Sequence, residues 1–427
     1  MKKKRTLLTI FSFIMIALMC VLAPQAIVPA TAAEVDTSSE EAQEGALASG
    51  ACGKNHTWVL SSDGTLTISG SGAMPDWTNK LQQPWHTYAE SIVAVVLEEG
   101  VTTVGNYAFL ELANMQSVTL PSSLTSIRWA CFYGCSALAE IRLPEGLTSI
   151  GSIAFAYCEK LEEIIIPEGV KYIESGAFAY CSALKYAEIS SSVRTIDEEA
   201  FRDCTNLEKV IISSGIYYIE SKAFLNCSNL KEIEIPGSVY EVNESAFEAC
   251  VNLEKVVLGE GMDYLRDKAF YNCPSLTSIE FPSSLQSIGT SAFEECIGLQ
   301  EIILPEDVWI GSRAFFGCTG LVNVTIPKNV GIGTSAFEEC TGLQELVLQE
   351  GVEIRERAFF GCTGLENVTI SKNVEIGTSA FEECTGLQNI AFQEDVEIGS
   401  RAFFECTGLV NITISKDGGT IGQEEFD

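Results

Sequence analysis

The sequence predicts a repeat solenoid, a β-rich stack of short coils in which each coil contributes one short strand to a parallel sheet. Phe recurs every 23 residues from Phe109 to Phe293 and every 22 residues from there to Phe403. Two apolar residues follow each Phe at nine and eleven positions, as in Ile164 and Ile166. That spacing places both side chains on one face of a strand. Self-similarity at a fixed period is typical of stacked repeats.

The remaining positions of the unit predict how each coil closes. Most Phe residues of the array lie in an Ala-Phe-x-x-Cys segment, in several coils preceded by Ser-x, and this segment is too short for more than one turn of α- or 3-10 helix. We therefore expect a helical or 3-10 turn at the corner opposite the strand. The change of period removes one residue, because residues 285–288 correspond to residues 308–310 in the next coil. The array is assigned to residues 92–427, with 23-residue repeats to about Phe293 and 22-residue repeats after it.

The N-terminal residues have the pattern of a secretory signal peptide. Residues 2–5 are basic, residues 7–22 are apolar, and Ala30-Thr31-Ala32 is a small-residue cleavage signal. A signal peptide over residues 1–32 predicts an extracellular protein, either secreted or associated with the cell surface. Residues 33–50 are rich in Ser, Glu and Ala and are expected to be a disordered spacer. No later run predicts a transmembrane segment in the mature chain.

Residues 51–91 do not follow the repeat and are expected to form an N-terminal cap that contains a β-hairpin. Asp63-Gly64 lies between two short apolar runs, which is a strong hairpin signal. An array needs a cap because its first coil would otherwise expose its apolar face to water. The alternative is a small sugar-binding patch, since Trp58, Trp77 and Trp85 could stack on a pyranose ring.

The repeat unit resembles the BspA-like leucine-rich repeats of secreted and surface bacterial proteins. Residues 150–161, Ile-Gly-Ser-Ile-Ala-Phe-Ala-Tyr-Cys-Glu-Lys-Leu, carry this resemblance, which extends over about residues 92–426. The Cys-Gly, Trp-x-Leu and Gly-x-Leu-Thr-Ile-x-Gly-x-Gly-x-Met segments before the array are also similar to the lead-in of such proteins. The resemblance implies a leucine-rich-repeat solenoid and an association with adhesion to host proteins or other microbes. A fold of this kind does not identify a ligand.

The chain is strongly acidic, with a net charge of −32. Loss of the four bases in residues 2–5 would leave 22 bases against 58 acids. This field opposes nucleic acid and anionic membrane surfaces, because phosphate binding depends on clustered Lys and Arg. The acidity is explained by solubility or by a surface that binds cations or a basic partner.

The thirteen Cys residues from Cys135 to Cys406 each stand three positions after a Phe. Secretion and the spacing of adjacent coils permit disulfides. However, equivalent side chains point the same way, and Leu112 occupies the first such position. We therefore expect buried free thiols that behave as small apolar groups.

No catalytic, cofactor-binding or metal-binding residue is predicted, and the chain is not expected to be an enzyme. His56 and His86 lie outside the array, which contains no His. The acid pairs Glu294/Glu295, Glu338/Glu339 and Glu382/Glu383 recur at equivalent positions. This recurrence indicates a solvated corner, because a glycosidase pair should occur once.

The outward strand positions are the candidate binding face. Ten residues after Phe, apolar and polar residues alternate from coil to coil, which predicts an apolar row with a spacing of roughly 10 Å. Strand propensity and duplication also explain this pattern. The candidate residues are the row members Ile165, Ile211, Val257, Ile303 and Val347, flanked by Glu232, Glu301, Glu345, Asn323, Asn367 and Asn411.

These observations predict a secreted or cell-surface binding protein. The expected partner is an extracellular protein or glycan on a host or microbial surface. The main alternative is an envelope-associated spacer without a specific ligand, and a carbohydrate-active enzyme is a more distant one.

Overall fold

The computed structural model describes residues 45–414. The predicted signal peptide, residues 33–44 of the predicted spacer and residues 415–427 of the array lie outside the described residues. The first strand, Ala46–Ala51, pairs with the strand that follows it. Residues 46–50 therefore do not belong to a disordered spacer, and that predicted boundary is wrong by five residues.

The described residues form strands and tight turns, with 3-10 helix at Lys80–Gln82 and His86–Ser91. In chain order the strands are β1 (Ala46–Ala51), β2 (His56–Ser61), β3 (Thr65–Gly70), β4 (Gly72–Ala73), β5 (Ala94–Leu97), β6 (Val101–Val104), β7 (Ser117–Thr119), β8 (Ser126–Ile127), β9 (Glu140–Ile141), β10 (Ser149–Ile150), β11 (Glu163–Ile166), β12 (Tyr172–Ile173), β13 (Tyr186–Ile189), β14 (Thr195–Ile196), β15 (Lys209–Ile212), β16 (Tyr218–Ile219), β17 (Glu232–Ile235), β18 (Glu241–Val242), β19 (Lys255–Leu258), β20 (Tyr264–Leu265), β21 (Ser278–Glu280), β22 (Ser287–Ile288), β23 (Glu301–Ile303), β24 (Trp309–Ile310), β25 (Asn323–Ile326), β26 (Gly331–Ile332), β27 (Glu345–Leu348), β28 (Glu353–Ile354), β29 (Asn367–Ile370), β30 (Glu375–Ile376), β31 (Asn389–Phe392), β32 (Glu397–Ile398) and β33 (Asn411–Ile414).

The predicted β-solenoid is confirmed, and each coil carries two strands. The odd-numbered strands from β5 onward are the predicted ones, and we call the side that they form the long-strand face. Its hydrogen bonding is interrupted, which leaves four sheets: β1-β2-β3-β5-β7-β9, β11-β13-β15, β17-β19-β21 and β23-β25-β27-β29-β31-β33. The even-numbered strands from β4 to β32 form one continuous 15-stranded sheet, which we call the short-strand face.

A third run of coil-to-coil hydrogen bonds lies at the Phe corner. Phe293 N–H donates to the Ala314 carbonyl at 2.7 Å, and Glu295 N–H donates to the Phe316 carbonyl at 2.9 Å. Within the coil, Cys296 N–H donates back to the Phe293 carbonyl at 3.2 Å. Glu295 has a φ of 64°, the positive value that the third residue of a type II turn requires. The corner is thus a series of tight turns that keeps its buried backbone groups paired, and no α- or 3-10 helix of the kind predicted there is found at the corners of the described coils.

The core is organised around a stack of Phe rings. Successive rings from Phe109 to Phe403 lie 5.0–5.3 Å apart between centroids and are close to parallel. All of these Phe side chains are buried. The change of period does not disturb the stack, since Phe293 and Phe315 lie 5.2 Å apart. The residue lost at the change of period therefore comes from the surface of the coil.

The N-terminal segment closes the first end of this stack. The Trp85 ring lies 5.6 Å from the Phe109 ring and nearly parallel to it, so it continues the ladder by one aromatic ring. Trp58 and Trp77 pack edge-on against Trp85 at 6.1 and 5.6 Å. All three indoles are buried. The alternative of a Trp-based sugar patch is therefore wrong, because no indole face is open to a sugar ring.

The Cys ladder lies beside the Phe stack. The fifteen Cys residues in the described part of the chain are free and buried. Their thiols also make a contact that the sequence did not reveal: Cys296 Sγ donates to the carbonyl of Phe270, one coil earlier, at 3.2 Å. The same bond recurs from Cys135 to Cys406. Each thiol therefore fills a small apolar space and also bonds to a buried carbonyl.

The thiols should make the fold sensitive to alkali. Burial raises the pKa of Cys135, Cys181, Cys250 and Cys340 to about 12, against an ordinary value of 9.0. The folded state holds these protons more tightly than the unfolded chain. Its stability should therefore be complete below pH 9 and fall between pH 9 and 12.

Replacement of these four Cys residues by Ala should make the urea midpoint fall less steeply with pH over that interval. The variant should be somewhat less stable at pH 7, because it loses four S–H···O bonds and a small volume in each coil. The diagnostic quantity is therefore the slope and not the midpoint itself. Equal slopes for the two proteins between pH 9 and 11 would contradict this assignment.

Candidate binding surface

The outward positions of the long-strand face carry large aliphatic side chains. Strand residues alternate between exposed outward positions and buried inward positions, as they do in Glu163–Ile166 and Glu345–Leu348. The exposed fractions are 53% for Ile165, 36% for Ile211, 63% for Ile303 and 51% for Val347. Val257 is only partly exposed. The predicted row therefore exists, and its most exposed members are Ile303 and Ile165, followed closely by Val347.

The interruptions of the long-strand face divide the candidate residues among three sheets. Ile165 and Ile211 belong to the β11-β13-β15 sheet, where Glu188 stands between them. Val257 and Glu232 belong to the β17-β19-β21 sheet. The largest group shares the β23–β33 sheet and consists of Glu301, Ile303, Asn323, Glu345, Val347, Asn367 and Asn411. We call this last group, with the outward residues between its members, the aliphatic–Asn surface.

Asn side chains link neighbouring coils on this surface. Asn389 Nδ2 donates to Asn367 Oδ1, and Asn411 Nδ2 donates to Asn389 Oδ1, both at 2.7 Å. Glu345 lies between Asn323 and Asn367 in the register, so Asn323 is separated from this run. An amide has two N–H donors and two acceptor positions. The central Asn389 therefore keeps one donor and one acceptor position outside the ladder for a ligand.

The acid pairs at the Phe corner differ from their prediction as a solvated corner. Glu294, Glu338 and Glu382 are buried, while their neighbours Glu295, Glu339 and Glu383 are exposed. Arg313 Nη2 lies 2.6 Å from Glu294 Oε1, and its guanidinium lies 3.6 Å from the centroid of Phe316. The same contacts join Arg357 to Glu338 and Phe360, and Arg401 to Glu382 and Phe404.

These Glu–Arg–Phe groups explain the alternation of corner sequences after Phe293. One coil provides the Glu, and the next provides both the Arg and the Phe on which the guanidinium lies. Burial would raise the pKa of Glu294, but hydrogen bonds from Arg313 and Ser291 outweigh it and lower that pKa. The signal was present in the sequence as Arg two positions before every second Phe. The predicted solvated corner is therefore wrong for the first Glu of each pair.

A row of aromatic side chains on the short-strand face was not predicted from the sequence. Tyr172, Tyr218, Tyr264 and Trp309 occupy the outward position of every second strand in the register. Tyr217 and Tyr240 stand one position before this row. The sequence signal is an aromatic residue directly before the late Ile or Leu in alternate coils.

Comparison with known proteins identifies the family. The profile of the BspA type leucine rich repeat region matches residues 85–208, 194–322 and 308–427. The chain belongs to this family. No curated protein matches the chain in a sequence comparison.

Solved structures of the leucine-rich-repeat class are similar to this family member. A leucine-rich repeat protein from Bacteroides ovatus is 28% identical, with a TM-score of 0.63 over 80% of this chain and 94% of the other. A leucine-rich repeat protein from Eubacterium ventriosum is 24% identical, with a TM-score of 0.43 over 88% and 98%. A leucine rich cell surface protein from Faecalibacterium prausnitzii is 22% identical, with a TM-score of 0.41 over 87% and 97%. The Bacteroides protein supports the solenoid along most of the described chain.

Between residues 45 and 414, no helix has the length and apolar character needed to cross a membrane. In the same part of the chain, no group of three or more His, Cys, Asp or Glu side chains is placed to hold a metal ion.

The Glu294–Arg313 pair gives a prediction for acid stability. The hydrogen bonds from Arg313 and Ser291 lower the pKa of Glu294 below 4.5, so the pair stabilises the fold above that pH and loses its effect as pH falls through the folded pKa. Arg313→Ala should destabilise the protein at pH 7 by about 1–3 kcal/mol, since it leaves a buried carboxylate without its main partner. The destabilisation caused by Arg313→Ala should be smaller below pH 4.

Urea unfolding at pH 7 and at pH 3.5 measures both effects. The matched control is Arg355→Ala, because Arg355 pairs with the exposed Glu353 and should change stability by less than about 1 kcal/mol. A similar loss for both variants at pH 7 would show that burial of the carboxylate does not matter.

Proposed function

We propose that this family member is a secreted or cell-surface protein that binds an extracellular protein or glycan through its aliphatic–Asn surface. The observation that carries the proposal is the exposure of Ile303 and Val347 beside an Asn ladder on one hydrogen-bonded sheet. Aliphatic side chains supply apolar contact, and the amides supply hydrogen bonds. Interfaces and glycan sites commonly combine both kinds of contact.

The fold itself does not require aliphatic residues in this row. Thr325 and Thr369 occupy the same row, pair in the same register as Val347, and are also exposed. Thr has a strand propensity comparable with that of Ile and Val. Keeping large aliphatic groups in water at Ile303 and Val347 therefore gives the sheet no evident advantage, and a ligand that covers them accounts for their presence.

The surface relief of the sheet agrees with this assignment. One shallow depression lies over the Asn ladder and is lined by Asn367, Asn389 and Asn411 together with their strand neighbours. A second lies beside Ile303 and is lined by Phe281, Leu304 and Pro305. Both are open and suit an extended or flat ligand better than a small enclosed molecule.

The net charge of the chain supports the proposed class of partner, and the leader supports the proposed extracellular location. An excess of 58 acids over 26 bases disfavours nucleic acid and anionic lipid, and it favours neutral or basic ligands. The leader pattern of residues 1–32 and the family membership support an extracellular location. We assign no catalytic role, because each candidate group recurs from coil to coil and none forms a single convergent site.

A spacer without a ligand is the second candidate. The near-identity of the two-coil units after Phe293 favours it, because duplication alone would copy surface residues along with the core. The two functions differ in one measurable respect, which is whether substitutions on the outward row change binding.

The double variant Ile303→Ser/Val347→Ser should weaken binding to the ligand at least tenfold, because both side chains lose their apolar contact. The ligand is first sought by probing glycan and extracellular-matrix protein arrays with residues 33–427. Affinity for each array hit is then measured by surface plasmon resonance. Ile165→Ser/Ile211→Ser tests the β11-β13-β15 sheet in the same way.

The matched control is Thr325→Ser/Thr369→Ser, which changes the same sheet and row without removing a large apolar group. It should retain the affinity of the unmodified chain. Thermal unfolding should be similar for all variants. Unchanged binding in both Ile303→Ser/Val347→Ser and Ile165→Ser/Ile211→Ser would overturn the assignment to this row. The absence of any array hit would favour the spacer.

A further inference from the structure

A second surface lies on the short-strand face and is distinct from the aliphatic–Asn surface. Its members are the aromatic side chains of the row, and the exposed fraction is 53% for Tyr172, 39% for Tyr218 and 42% for Trp309. Tyr217 and Tyr240 beside the row are also exposed. Tyr218, Tyr240 and the partly exposed Tyr264 are in ring contact with one another, and contiguous aromatic groups of this kind mark a contact surface, whereas single exposed rings need no explanation.

The row has a fixed period because the short-strand face is unbroken. Tyr172, Tyr218, Tyr264 and Trp309 are each separated by one intervening strand. Neighbouring strands lie about 4.8 Å apart, so the aromatic groups recur at about 9.6 Å. A polyproline II helix has three residues per turn and rises about 3.1 Å per residue, so its repeat is about 9.3 Å. The two periods agree closely over several turns.

We propose that this aromatic row binds a proline-rich segment in the polyproline II conformation that carries Lys or Arg residues. Aromatic-lined grooves are a recurrent means of binding such helices, which lose little conformational entropy on binding. The row extends over six strand steps, or about 29 Å, which corresponds to about nine residues of polyproline II.

The arrangement of the rings suits pyrrolidine side chains. Tyr218 and Tyr240 lie 6.5 Å apart at an angle of 77°, and Tyr240 and Tyr264 lie 5.4 Å apart at 73°. Two neighbouring rings that are nearly perpendicular form a shallow groove, with the face of one ring on one side and the edge of the other ring on the opposite side. The Trp309 ring lies over Gly331, where a Cβ atom would approach the ring to 2.3 Å. Only Gly leaves room for the indole in this position, so it forms a flat platform.

The net charge of the whole chain favours a basic partner over an acidic one. Two guanidinium groups of the chain already lie over rings of this surface, Arg266 at 4.5 Å from the Tyr264 centroid and Arg194 at 5.6 Å from the Tyr217 centroid. Tyr rings of this surface thus hold cations, and the chain's own Arg266 already occupies one face of Tyr264. The acid excess of the whole chain attracts a basic segment and repels an acidic one. A neutral glycan would use the ring faces but would gain nothing from this field.

The test uses three labelled synthetic peptides and residues 33–427, with affinity measured by fluorescence anisotropy. The first contains five Arg-Pro-Pro repeats, the second five Arg-Gly-Ser repeats with the same charge but no stiff helix, and the third five Glu-Pro-Pro repeats. We expect the first to bind at least tenfold more tightly than the second, and the third not to bind. Equal affinity for the two basic peptides would overturn the proposal, because it would show attraction by charge alone.

Variants locate the contact. Tyr218→Ser/Trp309→Ser should weaken binding of the Arg-Pro-Pro peptide at least tenfold, while Tyr218→Phe/Trp309→Phe should retain most of it because the ring faces remain. Ile303→Ser/Val347→Ser is the control on the other face and should leave this affinity unchanged. A loss in the control would show that the peptide binds the aliphatic–Asn surface and would overturn the assignment to the aromatic row. Failure of the proposed function leaves this result unaffected, since the two faces are tested separately.

Hydrogen exchange of the unmodified chain gives a readout that does not depend on variant folding. Addition of the Arg-Pro-Pro peptide should protect backbone amides in residues 172–310 of the short-strand face. Protection confined to the long-strand face would overturn the proposal. A neutral oligosaccharide that binds in a Tyr218-dependent manner, without any binding of the Arg-Pro-Pro peptide, would identify a glycan platform and would also overturn it.

Discussion

The register between coils depends on the carbonyl group of each core Phe. The Phe270 carbonyl lies beside a stacked ring and accepts a hydrogen bond from the thiol of Cys296 in the next coil. In the neighbouring coil, the Phe293 carbonyl accepts both from Cys296 N–H and from the thiol of Cys318. These groups are buried, so a coil that shifted by one residue would leave polar groups without partners. Backbone hydrogen bonds between coils set the spacing of the coils, and the ring stack and the thiol bonds add to their alignment in the core.

The change of period at Phe293 alters the surface and leaves this core intact. The position that disappears is occupied in earlier coils by Tyr217, Tyr240 and Gln286, all on the short-strand face. From the same coil onward the Glu–Arg–Phe groups begin at the Phe corner. The aromatic row is thus confined to the 23-residue coils and the first 22-residue coil, and the aliphatic–Asn surface lies almost wholly in the 22-residue coils. The loss of one residue per coil therefore accompanies a change in the side chains that the solenoid exposes on its two faces.

The periodicity of the sequence predicted most of the fold but only part of the two surfaces. The Phe, Cys and paired strand positions predicted the stack, its buried thiols and the long strands. The short strands span two residues each in most coils, which is too short for any alternation to be visible. The partners of Glu294 and the burial of Trp58 depend on contacts between residues that are distant in the sequence. Sequence spacing alone does not predict which of these contacts form. The interruptions between β15 and β17 and between β21 and β23 arise from backbone pairing, which leaves no mark on the outward row.

A scaffold of this kind constrains the shape of its ligands more than their chemistry. The outward residues can change without cost to the core, as Ile303, Thr325 and Val347 show in successive strands. Their spacing cannot change, because the hydrogen-bonded strands fix it at one strand separation per coil. Only a ligand whose own repeat is close to a multiple of that separation can contact equivalent side chains along the array. A polyproline II helix, with a repeat of about 9.3 Å, satisfies this condition for a separation of about 4.8 Å, whereas a compact ligand contacts only a few coils and gains little from the repetition.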